Sequence, residues 1–422
     1  MKHTKKLLFS SLTAIGIASL VGCAGSAGGN MASADEGDAV PWGATKGEFV
    51  EAMSAMEPVK ISYQTVSAGP GPYGGPETFK EHVEEWSGGK IEVELVYSQA
   101  VSPFGEVVEA VADGRLDIGT EVPTYTPDKY PATNDLVSLT VTTPGSPYFG
   151  EMVSQAALLD LAWESEPLRE EFESKGVDLL VPTEFGQAGA LMCTDPITSL
   201  DSLRGKQIRV ASEADRKIVE GFGATPVSFP SPELYDALAR NVVDCGIGRP
   251  DQAIGFGTIE HAPNMIFGSE RAFVRTPVTV VAGPTIQKLP LAARQLIFDT
   301  ATVHSFINNN TSNMGYLADV FDRSSEYGGA IHVLERDAED SLKESTNDLV
   351  EQFRSSEAID GEAAAQAYET AFEEWSTIAV DKGYSDISDF EEFVATHKVN
   401  PVNVEGFANA VFEEIYLPHR PS

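Results

Sequence analysis

Three features of this sequence predict an α/β protein built as two doubly wound lobes. Short strand-like segments alternate with amphipathic helices between Val59 and Gly119, in the order β-α-β-α-β of a doubly wound sheet. The same order returns across residues 186–274. At 422 residues the chain is also too long for one ordinary core.

The N-terminus reads as an export signal. Lys2, Lys5 and Lys6 give a basic start, Leu7–Leu20 an apolar stretch, and Leu20-Val21-Gly22-Cys23 a lipobox. Residues 1–22 are therefore expected to be a lipoprotein signal peptide with Cys23 as the lipidated residue; a chance cysteine near a cleavage site is the plainer alternative. The apolar stretch is too short for an ordinary spanning helix, and no later one reaches about 18 residues. Residues 23–38, small, polar and acidic, are expected to form a flexible tether. An N-terminal extension over 39–58 holds a short helix, with Phe49, Met53 and Met56 on one face.

The first lobe is expected over 59–187 together with 275–320. Lys60–Val66 is strand-like. Pro76–Trp86 reads as a helix: proline suits the first turn, Phe79, Val83 and Trp86 share a face, and Gly88-Gly89 stops it. Ile91, Val93, Leu95 and Tyr97 alternate with Glu92 and Glu94, as in a strand with one wet face. Gly105–Asp113 is helical and Leu116–Gly119 is the next strand. Thr276–Gly283 returns to this lobe as a strand. Pro290–Ser325 is a helical stretch too long for one small lobe. The second lobe is expected over 188–274 together with 321–415, including helices at 336–356 and 361–381. The tail from Gly383 carries no usable motif.

The most informative window opens with Leu203-Arg204-Gly205-Lys206-Gln207-Ile208-Arg209-Val210. Gly223-Ala224-Thr225-Pro226-Val227, Tyr235-Asp236-Ala237-Leu238 and Val242-Val243-Asp244 follow. It reads as strand, helix, strand, helix, strand. Period-2 alternation turns Arg209 away from Ile208 and Val210. Open α/β sheets bind ligands beyond the carboxyl ends of their strands, and a guanidinium there is a fork of donors suited to a carboxylate. Other polar residues at strand and helix ends are candidates by position: Gln64, Thr120, Glu121 and Ser231, the last a natural N-cap before Pro232. Ordinary capping or turn roles are as good a reading of each.

This window resembles the solute-receptor subunit of TRAP (tripartite ATP-independent periplasmic) transporters, the DctP-like family. Gly88-Gly89-Lys90-Ile91-Glu92-Val93 and Gly114-Arg115-Leu116-Asp117-Ile118-Gly119 occur where that family has them, and the resemblance covers about 59–355. It implies a periplasmic-binding-protein type II-like fold, with hinge strands and a long bracing helix across both lobes. It implies that Arg209 clamps the carboxylate of an organic acid, and that the small and large TRAP membrane subunits receive the loaded receptor. It also makes the Cys193 and Cys245 strands neighbours. A disulfide there would add at most roughly 4 kcal/mol by chain entropy; two buried thiols are the equal alternative. Two departures bear on the ligand. A second hinge-strand arginine of some members falls near Gly189, and a familiar asparagine position is Gly248. Arg249 could supply a second cation, or be a solvated loop residue. These departures argue against a sugar acid.

The formal charge is −35, and losing the signal peptide makes it three units more negative. Such acidity argues against nucleic acid and against electrostatic attachment to anionic lipid, but not against an anionic solute met by a local arginine. Gly69-Pro70-Gly71-Pro72-Tyr73-Gly74 matches G-x-G-x-x-G, yet its prolines hold the preceding residues out of the helical region, so a cleft-side loop is expected instead. The seven histidines are scattered, and H-E-x-x-H, C-x-x-C and G-x-S-x-G are absent. No cofactor, metal or catalysis is expected. The expected function is a lipid-anchored extracytoplasmic receptor for a small carboxylate at the bacterial cell membrane. An ABC-type binding lipoprotein, a ligand sensor and, last, an extracytoplasmic hydrolase are the alternatives.

Overall fold

The computed structural model describes residues 39–143, 145–186 and 189–422; the predicted signal peptide, Cys23 and tether lie outside the described residues. Strands β1 (Val59–Gln64), β2 (Ile91–Val96), β3 (Ile118–Glu121), β4 (Asp178–Glu184), β5 (Ala190–Cys193), β6 (Gln207–Val210), β7 (Thr225–Ser228), β8 (Cys245–Gly248), β9 (Asn264–Phe267), β10 (Val278–Ala282) and β11 (Ile331–Val333) make two mixed sheets. Their orders are β2-β1-β3-β10-β4 and β11-β9-β5-β8-β6-β7.

Alternation and close packing build the first sheet. In β2, Ile91 and Val93 are buried while Glu92 and Glu94 face solvent. The Pro76–Trp86 helix buries Phe79 and Val83. The Val107–Ala112 helix lies directly on β3, where a Cβ at Gly119 would come within 2.4 Å of Val107. β1, β2 and β3 run parallel, whereas β10 is antiparallel to both β3 and β4.

In the second sheet β6 runs parallel to β7 and β8, and β5 is antiparallel to β8 and β9. Cys193 and Cys245 face each other across β5 and β8 and form a disulfide. The Glu213–Gly221 helix starts with a Ser212–Asp215 capping box and buries Ala214, Ile218 and Val219.

The antiparallel strands belong to the two places where the chain passes between sheets. β4 leads to β5, and β9 leads to β10. These passages touch at an antiparallel bridge between Gly189 and Phe273. A Cβ at Gly189 would sit 2.9 Å from the Val274 carbonyl, so the crossing requires a residue without a side chain. Beside it Arg275 is wholly buried, both arms on Glu151 and Nη1 donating to the Thr140 carbonyl at 2.7 Å. The third passage is the predicted long helical stretch. It runs as an α-helix over Leu291–Asp299, a π-turn over Thr300–His304, an α-helix over Ser305–Arg323 and a 3-10 turn over Ser324–Tyr327.

From Gly361 onward the chain returns to the first sheet's helices, rather than staying with the second lobe as the 321–415 assignment expects. Tyr368 shares hydrogen bonds with Ser154 (2.6 Å) and Thr143 (3.2 Å), and the Trp375 indole donates to Asp160 at 3.4 Å. The predicted motifless tail is helical at Phe390–Val399 and Glu405–Val411. Arg420 pairs bidentately with Asp299 at 2.7 and 2.8 Å, and Trp42 of the extension stacks on Phe412.

Candidate functional site

A cavity of about 490 Å³ opens between the two sheets, at the carboxyl ends of their strands. The first sheet contributes Tyr63, Thr120 and Glu184, and the 3-10 turn after β3 contributes Tyr125. Ser231, Arg249, Asp251 and Gln252 line it from the second sheet's side. A polar stripe of the Ser305–Arg323 helix, Ser305, Asn308, Asn309, Ser312, Asn313 and Tyr316, forms the floor. The Gly69–Gly75 loop lines the cavity as predicted, with Gly74 and Gly75 at φ of 84° and 90° and Tyr73 packed edge-on against Tyr316.

Arg209 lies one side chain behind this cavity instead of on its wall. Only 1 % of it is exposed. Nε donates to the Phe229 carbonyl (2.8 Å), Nη1 to the Ile247 carbonyl (3.1 Å) and Nη2 to the Tyr125 hydroxyl (3.2 Å). All three acceptors are neutral, and three of its five N–H donors are used. Among the described residues no carboxylate lies within ion-pairing distance of it. Asp215 feels its charge, but its Oδ2 accepts from the amides of Ala211 and Ser212, its Oδ1 is buried without a hydrogen-bond partner, and burial raises its pKa. The other wholly buried arginine, Arg275, has Glu151 on both arms.

The Tyr125 hydroxyl is the meeting point. It accepts from Arg209 Nη2 and from the Ser231 amide, both at 3.2 Å, and lies 3.2 Å from Ser231 Oγ. Ser231 opens its helix as predicted but does not cap it; its hydroxyl faces Tyr125 and accepts from Gln252 at 3.3 Å. Arg249 is a wall residue, not a solvated loop residue. Its side chain is 14 % exposed and held bidentately by Asp251 at 2.9 Å on each arm, with Nη1 on the Thr276 carbonyl. Gln252 also accounts for Gly248: a Cβ there would meet Gln252 Oε1 at 2.8 Å and Met192 at 2.2 Å.

Two expected site residues serve structure instead. The Gln64 amide is consumed by the Val101–Ser102 turn, accepting from both amides at 3.0 Å and donating to the Ser102 carbonyl at 2.9 Å. Glu121 is buried beneath the Val107–Ala112 helix and accepts from the amides of Gly105, Val107, Val108 and Val122. Both face the strand-end loops, so neither lines the cavity. Thr120 does line it, donating to the Tyr63 hydroxyl at 3.3 Å.

Sequence reasoning missed Tyr125, Tyr63 and Glu184. Glu184 ends β4, and an acidic residue closing an apolar strand (Asp178-Leu179-Leu180-Val181-Pro182-Thr183-Glu184) was the available signal. Burial pushes its carboxyl up to about 7, opposed by the charge of Arg249. Among the described residues no group of three or more His, Cys, Asp or Glu is arranged to hold a metal, and no helix is long and apolar enough to cross a membrane.

The family described as "Bacterial extracellular solute-binding protein, family 7" (DctP) matches residues 64–356. A curated relative from Salmonella typhimurium, "Uncharacterized protein YiiZ", is 26 % identical over 166 residues, 39 % of this chain; the chain spans about half of that relative's length, 48 %. Solved structures share the fold. A marine metagenome TRAP solute binding protein specific for aromatic acid ligands, in complex with 3-hydroxybenzoate, superposes with a TM-score of 0.64 at 20 % identity, covering 75 % of this chain and 99 % of its own. A Rhodoferax ferrireducens TRAP solute binding protein with benzoate gives 0.67 at 16 % identity, covering 76 % and 99 %. DctP7 of Bordetella pertussis, an extracytoplasmic solute receptor binding pyroglutamic acid, gives 0.61 at 17 % identity, covering 74 % and 99 %.

Proposed function

The chain belongs to family 7 of the bacterial extracellular solute-binding proteins, the receptors of TRAP transport, and from that premise we propose that it captures a small organic acid through its carboxylate. The observation that carries this reading is Arg209, a buried cation whose hydrogen-bond partners are all neutral. Removing an ion from water costs several kcal/mol, and a buried charge is ordinarily paired. A carboxylate entering the cavity supplies the missing negative charge.

The seat we assign to that carboxylate is the wall made by Tyr125, Ser231 and Arg249, with Arg209 immediately behind Tyr125. Ser231 and Arg209 bring N–H donors, Tyr125 a hydroxyl, and Arg249 a second guanidinium on the cavity side. Exclusion of water as the sheets approach strengthens each of these bonds. The organic acids bound by the fold's solved relatives support the ligand class. Delivery to ion-driven membrane subunits, and attachment of the chain through a lipid on Cys23, complete the proposal.

A thermal-shift screen of carboxylic acids against their amides tests it. A tight ligand raises Tm by mass action. Acids that shift Tm where their amides do not are the expected result; shifts by uncharged sugars or cations alone overturn it.

A further inference from the structure

The cavity holds a second feature that its positive groups do not explain. Three ionisable side chains face it or form its wall: Arg249, Asp251 and Glu184. Arg249 and Asp251 satisfy one another through two bonds of 2.9 Å. Glu184 has no such partner. It stands at the end of β4, opposite Val278 of β10, and among the described residues no side chain or amide donates to its carboxylate. Its polar neighbours do not donate to it. The Tyr63 phenol, whose ionisation Glu184 opposes, accepts from Thr120 and makes no hydrogen bond to Glu184, and both Arg249 arms that face a carboxylate face Asp251.

We propose that Glu184 is the specificity residue of this cavity, selecting carboxylates that also carry a hydroxyl or N–H hydrogen-bond donor away from the carboxylate. A solute donor satisfies the unpaired oxygens, whereas a methyl in its place leaves a carboxylate buried against an apolar group. This rests on the reading that the cavity takes an organic acid. Burial already lifts Glu184 towards neutral pH, so a donor that holds the carboxylate in its charged form gains from that interaction.

The test is isothermal titration at pH 8, where Glu184 is ionised, with matched acids: 3-hydroxybenzoate against 3-methoxybenzoate, mandelate against O-methylmandelate, and pyroglutamate against its N-methyl derivative. In the wild-type chain at least one donor-bearing acid is expected to bind about 10- to 100-fold more tightly than its methylated partner, the range of a hydrogen bond to a charged group. Glu184→Met should bring that pair within about threefold. Glu184→Gln, which keeps an acceptor and the fold, should retain an intermediate preference. Acids that bind without any donor preference, or a preference that survives Glu184→Met, overturn the inference and leave the organic-acid reading intact. Failure of every acid to bind the wild-type chain overturns that reading as well.

Discussion

Replacing Arg209 by methionine separates a ligand clamp from a structural arginine. The substitution removes three hydrogen bonds to neutral acceptors, each worth about 1.5–3 kcal/mol when one partner is charged. It also relieves the burial of an ion, which costs several kcal/mol. These terms nearly cancel, so the ligand-free variant should melt within a few degrees of the wild type. Binding has no such compensation. Truncating one side of a buried charge pair costs about 2–5 kcal/mol, roughly 30- to several-thousandfold in Kd. At about 100 times Kd, ligand stabilises the wild type by about 2.7 kcal/mol. With an unfolding entropy of about 2.1 cal/mol/K for each of about 380 residues, that is about 3 °C in Tm. After a 100-fold loss of affinity, the same concentration gives about 0.4 kcal/mol, or about half a degree. Differential scanning fluorimetry and titration calorimetry read both quantities. A variant that keeps a Kd within about threefold of wild type refutes the assignment, whatever its ligand-free Tm. Arg209→Lys should bind almost as poorly, because an ammonium cannot serve both carbonyls and Tyr125 at once.

The buried Arg275–Glu151 pair gives the opposite pattern: Glu151→Gln should lower Tm by about 4–6 °C, from about 3–5 kcal/mol for an orphaned buried charge, and a Tm change under 1 °C would contradict that role. Replacing Cys193 and Cys245 together by alanine should cost up to about 4 kcal/mol, seen as a lower urea midpoint; an unchanged midpoint under oxidising conditions would argue against the bond's contribution. His82, stacked on Trp86 and tilted against His304, has its pKa lowered to about 3 by burial and by the neighbouring His304. A base held neutral in the fold contributes fully above its unfolded value near 6.5, and that contribution falls away as pH drops from there towards 3. His82→Leu should therefore flatten the fall of Tm between pH 6.5 and 4, and an unaltered slope would contradict it.

The fold was legible where periodicity reports burial directly. Ile91 and Val93 against Glu92 and Glu94 place β2, and Pro76 with Phe79 and Val83 places the first helix. The C-terminal helices were less legible because their partners are distant in sequence. Phe407, Val411 and Ile415 recur every four residues, a helical signal, but nothing in that spacing names Phe306 or Trp375 as what Phe407 packs against. Site residues divide in the same way. Thr120 lies at a strand end and Ser231 opens a helix, and both line the cavity; Arg249 lines it too, although the sequence left it open as a solvated loop residue. Gln64 and Glu121 occupy equivalent strand ends, yet local backbone amides capture them first, and a strand end does not reveal which loop will fold back on it. Tyr125 and Glu184 matter through what faces them across the cavity, a relation between residues about 60 to 100 positions apart.

In the proposed reading, the position of Arg209 would link recognition to closure. Tyr125 belongs to the turn that follows β3 of the first sheet, whereas Arg209 and Ser231 belong to the second. The phenol oxygen therefore ties the sheets together through the same donors that an anion would use. If the sheets separate, Arg209 Nη2 and the Ser231 amide lose their acceptor together, and the guanidinium faces the opened cleft with its charge still unpaired. A carboxylate that satisfies those donors while they are exposed, and then admits Tyr125 beside it, is bound more tightly by the closed form than by the open one. That difference in affinity is the whole of what a ligand can spend on shifting a conformational equilibrium. A cation lying open on the cavity wall would bind anions in either form and signal nothing; placed behind a tyrosine of the opposite sheet, the proposed clamp would make occupancy and closure one event.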